Sequence, residues 1–236
     1  MKNLYAGQST GASVYYSGQK DLDTQENRGF VYAFLSACFK DEPGAKLLAF
    51  FNESRIRTVN FLDAISSPEA EICRDVLQKI QIILEQNCED FLPLRKQFAF
   101  LFLNPQGVNP FESVYRGPQK RLMDQPWVEV KSFYASAGME KGAREEHPED
   151  HAAVELGFMA QLAYLTSMTG PEEPDSAIKL LHLQKRFLDE HLLCWFPDLC
   201  RDIQARDEVA LYRYIAGLGQ SWVALDHLLL RHALDQ

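Results

Sequence analysis

The chain has 236 residues, 46% hydrophobic and 24% charged, with 24 Lys and Arg against 33 Asp and Glu for a formal net charge of −9. That composition can bury a sizeable core and excludes disorder for most of the chain. The acid surplus argues against phosphate-backbone binding, which needs cationic side chains, and suits a basic partner. The longest strictly apolar run is Phe98 to Leu103, far short of the ~20 residues that cross a bilayer. The opening MKNLYAGQSTGASVYYSGQ holds no apolar signal core, so the expected location is the cytoplasm. Five cysteines (Cys38, Cys73, Cys88, Cys194, Cys200) form no C-x-x-C pair and read mostly as small buried side chains in a reducing compartment.

Residues 1 to about 25, rich in Gly, Ser, Gln and Tyr, show no helical period and predict a flexible N-terminal arm, leaving 26–236 as one all-α domain. Val31, Phe34, Leu35 and Cys38 predict a first helix from Asn27 to Lys40. After the Pro43-Gly44 break, Lys46 to Asn52 begins a second. Ser67-Pro68-Glu69 is a helix start, a capping Ser before a first-turn Pro, and the segment runs to Asn87 with Ile72, Val76, Ile80 and Ile83 on one stripe. Asp90 to Leu103 continues with Leu94, Phe98, Leu101 and Phe102, and the breaker cluster Asn104 to Pro110 follows. Further helices are predicted over Arg121 to Ala137, Pro148 to Met168, Ser176 to Leu193 and Asp207 to Ala233, the last with Tyr212, Ile215, Trp222 and Leu229 on one face. No two-residue alternation and no fixed-period repeat occurs, so the fold class is an all-α helical bundle.

Phosphate-binding loops and nucleophile elbows are absent, and Gly217-Leu218-Gly219, inside a helical pattern, reads as close packing. Three polar segments stand out. In Glu145-Glu146-His147-Pro148-Glu149-Asp150-His151, followed by Glu155, two histidines and a carboxylate at helical spacing allow a metal-dependent hydrolase using His147, His151 and Glu155. The same residues also read as a helix N-terminus whose acids suit the positive end of the macrodipole. Asn109 to Arg116 combines acid, hydroxyl and aromatic groups, or is a plain connection anchored by Phe111 and Tyr115. Phe187 to Pro197 reads as a helix packed through Phe187 and His191 and broken before Pro197.

These segments, in this order, resemble the TorD/DmsD/NarJ family of redox-enzyme maturation chaperones. The resemblance lies in Leu101-Phe102-Leu103-Asn104-Pro105 with Pro110-Phe111-Glu112-Ser113-Val114-Tyr115, in Glu146-His147-Pro148-Glu149-Asp150-His151 leading to Glu155-Leu156-Gly157-Phe158-Met159, and in His191 to Pro197. It covers roughly Gly29 to Leu230 and implies a TorD-like bundle of two helical subdomains joined by a hinge, near residues 104–119. The implied function is that of a cytoplasmic, cofactor-free chaperone. Such a protein binds the apo catalytic subunit of a molybdenum-cofactor oxidoreductase, and its twin-arginine signal peptide, before export or assembly. The implied partners exclude nucleic acid and membrane insertion, and the implied state is a monomer or a domain-exchanged homodimer. Residues implied in client binding are Glu112, Ser113, Tyr115, Glu146, Pro148, Asp150, His151 and Trp195. A twin-arginine peptide offers two adjacent cations before an apolar stretch, so its receptor needs carboxylates beside an apolar wall. Glu112, Glu146, Glu149 and Asp150 can supply the charge, and Tyr115, Phe158 and Trp195 the wall. Asp150 and His151 are expected to face the cleft between subdomains.

Overall fold

Apolar side chains at three- and four-residue spacing wind nearly every segment into helix, and the computed structural model describes residues 19–142, 145–169, 173–206 and 210–235. In chain order the α-helices are α1 (Gln19–Lys40), α2 (Ala45–Asp63), α3 (Pro68–Gln86), α4 (Leu92–Phe98), α5 (Glu112–Arg116), α6 (Gln125–Ser136), α7 (Ala152–Met168), α8 (Pro174–Phe187), α9 (Leu193–Gln204) and α10 (Ala210–Leu234). Two π-helical turns interrupt them, Ala99–Leu103 after α4 and Leu188–Leu192 between α8 and α9. Among the described residues the one extended pairing is an isolated antiparallel bridge between Phe111 and His151.

Local chemistry explains most boundaries. Ser67 caps α3, its side chain accepting the Ala70 N–H at 3.1 Å, with Pro68 behind it. Asp124 caps α6, which starts at Gln125 rather than the expected Arg121, and Gly138 follows that helix with φ of 68°, a left-handed value that glycine adopts without strain. The buried stripe of α3 is Cys73, Val76, Leu77, Ile80 and Leu84, while Ile72 faces solvent. The first helix starts at Gln19 rather than Asn27, and Thr24 and Gln25 are already buried. Residues 1–18 of the expected arm lie outside the described residues.

The expected break before Pro197 does not occur. Pro197 sits inside α9, where it removes one helical hydrogen bond. Burial of Trp195, Phe196, Leu199, Cys200 and Ile203 on one face outweighs that loss. The irregularity falls earlier instead, as the π turn that carries His191.

Helix α7 is the central element, with apolar residues on all sides, and it lies against α1 at short range. The closeness requires glycine: a Cβ on Gly29 would meet the Tyr164 ring at 2.9 Å, and one on Gly157 would stand 3.2 Å from Ser36 Oγ. Ser36 Oγ in turn donates to the Ala153 carbonyl at 2.6 Å. Gly219 on α10 likewise lets the Phe196 ring of α9 approach, which is the close packing read from Gly217-Leu218-Gly219. Helices from both sides of 104–119 share one core, in which Phe34, Leu35 and Leu77 join Leu156, Phe187, Trp195 and Trp222.

One ion pair is sealed in this core. Arg28 of α1 meets Asp226 of α10 through both ends of its guanidinium, with Nη2 to Oδ2 at 2.9 Å, and Tyr32 donates to the same oxygen at 2.7 Å. Both charged side chains are almost wholly buried. A buried pair of this kind is strongly destabilising to break, because the survivor keeps an uncompensated charge. Asp226→Ala should therefore lower unfolding free energy by about 3–5 kcal/mol, read from urea titrations of both proteins. A loss below ~1 kcal/mol would show that the pair does not anchor α1 to α10.

Candidate functional site

The three polar segments meet where the 104–111 connection is pinned to the start of α7. Ala152 N–H donates to the Pro110 carbonyl at 2.8 Å and Glu112 N–H to the Asp150 carbonyl at 2.9 Å, the two hydrogen bonds of the Phe111–His151 bridge. The Asp150 side chain extends the contact, Oδ2 accepting the Ser113 N–H at 3.0 Å. Asp150 thus serves donors at the first turn of α5, although 37 residues separate it from Ser113 in sequence. His151 caps α7: its Nδ1 accepts the Ala153 N–H at 3.1 Å, so in the neutral ring Nε2 carries the hydrogen. Its ring stacks on His147 at 4.0 Å and meets Phe111 edge-on at 4.9 Å.

From this junction Glu112 projects into the protein and is fully buried. Its carboxylate receives Arg116 from one turn along α5 and His191 Nδ1 at 3.1 and 3.2 Å from its two oxygens. Glu155 of α7, also fully buried, lies beside it and accepts the Trp195 indole N–H at 3.0 Å. Burial raises the pKa of Glu155 well above the ordinary carboxyl range, and the charge of Glu112 raises it further. Burial thus favours the protonated form of Glu155, whose Oε1 has no hydrogen-bond partner. Burial likewise raises Asp150, against the lowering effect of Ser113. Burial, then the neighbouring His147, pushes His151 down to about 3, which leaves it neutral.

The sequence-predicted residues therefore divide. Glu112, Ser113, Asp150, His151 and Trp195 are buried, whereas Tyr115, Glu146 and Pro148 are partly open to solvent. The expectation that Asp150 and His151 face an open cleft is not what the geometry gives: both are spent as helix caps, and the bridge to 110–112 covers them. Of the residues expected to form an apolar wall, Tyr115 and Trp195 pack with ring centroids 5.6 Å apart but Trp195 is fully buried, and Phe158 packs with Tyr134 and Phe187. Glu149 is held by the Trp127 indole N–H at 2.7 Å.

The hydrolase reading fails on geometry. His147 and His151 stack face to face, the Nδ1 of His151 is occupied, and Glu155 faces Trp195 and Glu112. Among the described residues no group of three or more His, Cys, Asp and Glu could hold a metal ion.

Sequence reasoning missed several participants. Asp202 accepts the Tyr115 hydroxyl at 2.8 Å, and its place seven residues after Trp195, on the same helix face, was the available signal. Arg186 and Glu129 reach the same region from α8 and α6, and no spacing rule connects them.

The protonated Glu155 has a measurable consequence. A carboxyl whose pKa is raised by folding gives its stability below the ordinary carboxyl pKa and loses it as pH rises toward the folded value. Glu155→Gln keeps an acceptor for Trp195 without an ionisable group. The melting temperature of the variant minus that of the wild type should therefore grow from about pH 5 to about pH 8. A difference that is flat or falls over that range would show that Glu155 is ionised in the fold.

Residues 63–201, more than half of the chain and the part that holds all three segments, match the family described as nitrate reductase delta subunit. The chaperone protein TorD of Photobacterium profundum is 30% identical over 211 residues, 88% of this chain and 96% of that protein. Those of Vibrio cholerae serotype O1 El Tor Inaba and of Aliivibrio fischeri are 28% and 26% identical, over 89% and 85% of this chain and 93% of each relative. These relatives are chaperones by name, and the chain belongs to the nitrate reductase delta subunit family.

Proposed function

We propose that the chain is a cytoplasmic chaperone for a molybdenum-cofactor oxidoreductase: it holds the apo catalytic subunit, and that subunit's twin-arginine signal peptide, before export or assembly. The observation that carries this reading is the similarity to TorD chaperones along nearly the whole chain, motif segments included. Three physical features agree with it. The chain carries an excess of acid suited to a cationic leader. Its cysteines are free, with Cys38, Cys73 and Cys200 buried, as in a reducing compartment. No described helix is long and apolar enough to cross a membrane.

In this reading the client lies on the surface around Tyr115, Glu146 and Pro148. Glu112, Ser113, Asp150, His151 and Trp195 hold that surface in place from beneath. The 104–119 segment is the hinge, across which a monomer and a domain-exchanged homodimer are both accessible.

Two kinds of variant test the division of roles. Glu146→Gln should weaken calorimetric binding of the client's leader peptide by about threefold to tenfold, with melting temperature nearly unchanged. Tyr115→Ala should weaken it similarly while lowering the melting temperature, since it removes the ring packed on Trp195 and the hydroxyl bound to Asp202. Asp150→Ala orphans the Ser113 N–H and should cost about 1–3 kcal/mol of stability, a fall of roughly 3–10 °C in a chain of this size. Wild-type affinity in both surface variants would move the client elsewhere. The broader reading is checked by tagging the chain in its own host. One molybdoenzyme catalytic subunit should co-purify, and its absence in cells that express that subunit would overturn the assignment.

A further inference from the structure

Two arginines of this chain sit in one acidic groove of about 670 Å³, formed by α5, α6, the end of α8 and the π turn Leu188–Leu192. Arg116 reaches down to the buried carboxylate of Glu112, donates to the Glu190 carbonyl at 3.0 Å and has Glu129 at 3.9 Å. Arg186 lies over the Phe133 ring, 4.8 Å from its centroid, and pairs with the Glu190 carboxylate at 3.1 and 3.5 Å. Each guanidinium thus has a complete seat. One combines a buried acid, a backbone carbonyl and a second acid; the other combines an aromatic face and an acid. Both seats use Glu190, one through its carbonyl and one through its carboxylate, so they are adjacent.

These are the groups that recognise a planar cation: carboxylates for its forked donors and an aromatic face for stacking. Glu129, Asp189 and Glu190 line the groove beside Arg116 and Arg186, with the Glu112 carboxylate beneath Arg116, and Asp189 pairs with Lys185 at 2.6 Å and His227 at 2.9 Å. Neither arginine is locked in. Arg186 is more than half exposed, and Arg116 retains 29% exposure although its partner has none. We propose that this groove is a receptor for two adjacent arginine side chains of a client peptide, occupied in the free chain by Arg116 and Arg186, which the peptide displaces. This rests on the reading above that the client offers an arginine pair, and it adds where the pair sits and what holds the site closed. Self-occupancy lowers apparent affinity by the fraction of molecules in which the seats are free, so removing an occupant strengthens binding.

The test is calorimetric titration of the full chain with a synthetic peptide carrying two adjacent arginines ahead of an apolar stretch, and with its Lys-Lys counterpart. Arg186→Gln and Arg116→Gln should each bind the Arg-Arg peptide about fivefold or more tighter than wild type, and Glu129→Gln more weakly. Arg121→Gln removes an equal charge outside the groove and controls for long-range attraction, with an expected change under about twofold. The Lys-Lys peptide should gain little in any variant, because ammonium lacks the fork and the stacking face. Arg116→Gln leaves Glu112 with less compensation, so thermal melts accompany it; Arg186→Gln, an exposed position, carries the test if the first variant unfolds. If wild type binds the Arg-Arg peptide and both arginine variants bind it equally or more weakly, the leader-binding reading stands and the displacement proposal falls. Binding seen only after an arginine is removed supports displacement outright. No binding by wild type or any variant overturns both.

Discussion

Two backbone hydrogen bonds, Ala152 N–H to the Pro110 carbonyl and Glu112 N–H to the Asp150 carbonyl, fix the geometry on which the whole site depends. They hold an irregular connection against the first turn of α7, so that α5 starts within reach of the Asp150 carboxylate and α7 starts on the His151 ring. Unpaired N–H donors at helix starts need acceptors, and here each start takes its acceptor from the strand-like pair between them. Glu112 is thereby aimed into the protein, against Glu155 and His191, rather than toward water. The connection that sequence reads as a hinge is pinned to the start of α7 by these two bonds.

The electrostatics follow from that placement. Three carboxyl groups, Glu112, Asp150 and Glu155, are buried in one neighbourhood, and they cannot all be ionised there without cations. Burial and the Glu112 charge favour the protonated form of Glu155, while Glu112 is compensated by Arg116. Arg116 also reaches solvent appreciably. The charge state of the buried cluster is therefore tied to a side chain standing in an open groove, and anything that moves Arg116 is felt by Glu112.

How much of this was legible beforehand depends on whether the signal is local. Ser67-Pro68, the Asn104 to Pro110 breakers and Gly138 mark element ends because caps, prolines and glycines act within a turn of themselves. The helical class was legible from periodicity for the same reason. The start of α1 at Gln19 was not, since Thr24 and Gln25 are buried polar residues that give no apolar stripe. Pro197 misled because its local penalty is outweighed by tertiary burial of its helix. At the site, the motifs found the right residues but gave the wrong exposure. Asp150 and His151 are polar, which reads as surface, and only the bridge partner 37 or more residues away makes them interior. Arg28 and Asp226 carried a faint signal, each lying on the apolar stripe of its own helix, but nothing in sequence pairs positions 198 residues apart.

Among the described residues two buried carboxylates pair with arginine, Asp226 and Glu112, and their contrast explains what each is for. Asp226 and Arg28 are both sealed, Arg28 at 1% exposure, and Tyr32 donates to the same Oδ2 that Arg28 Nη2 meets, so no solvent-borne group can compete and the pair only fixes α1 against α10. Glu112 is sealed to the same degree, but its arginine enters from a groove and keeps 29% of its surface in water. The desolvation of the acid is the same in both places. What differs is that the second cation stands partly in solvent. A buried carboxylate whose cation can be replaced binds arginine well and binds neutral side chains poorly, because vacating it leaves a charge uncompensated in the interior. In the proposed displacement, selectivity for a cationic client therefore comes from the core of the protein, and the groove surface needs only to admit it.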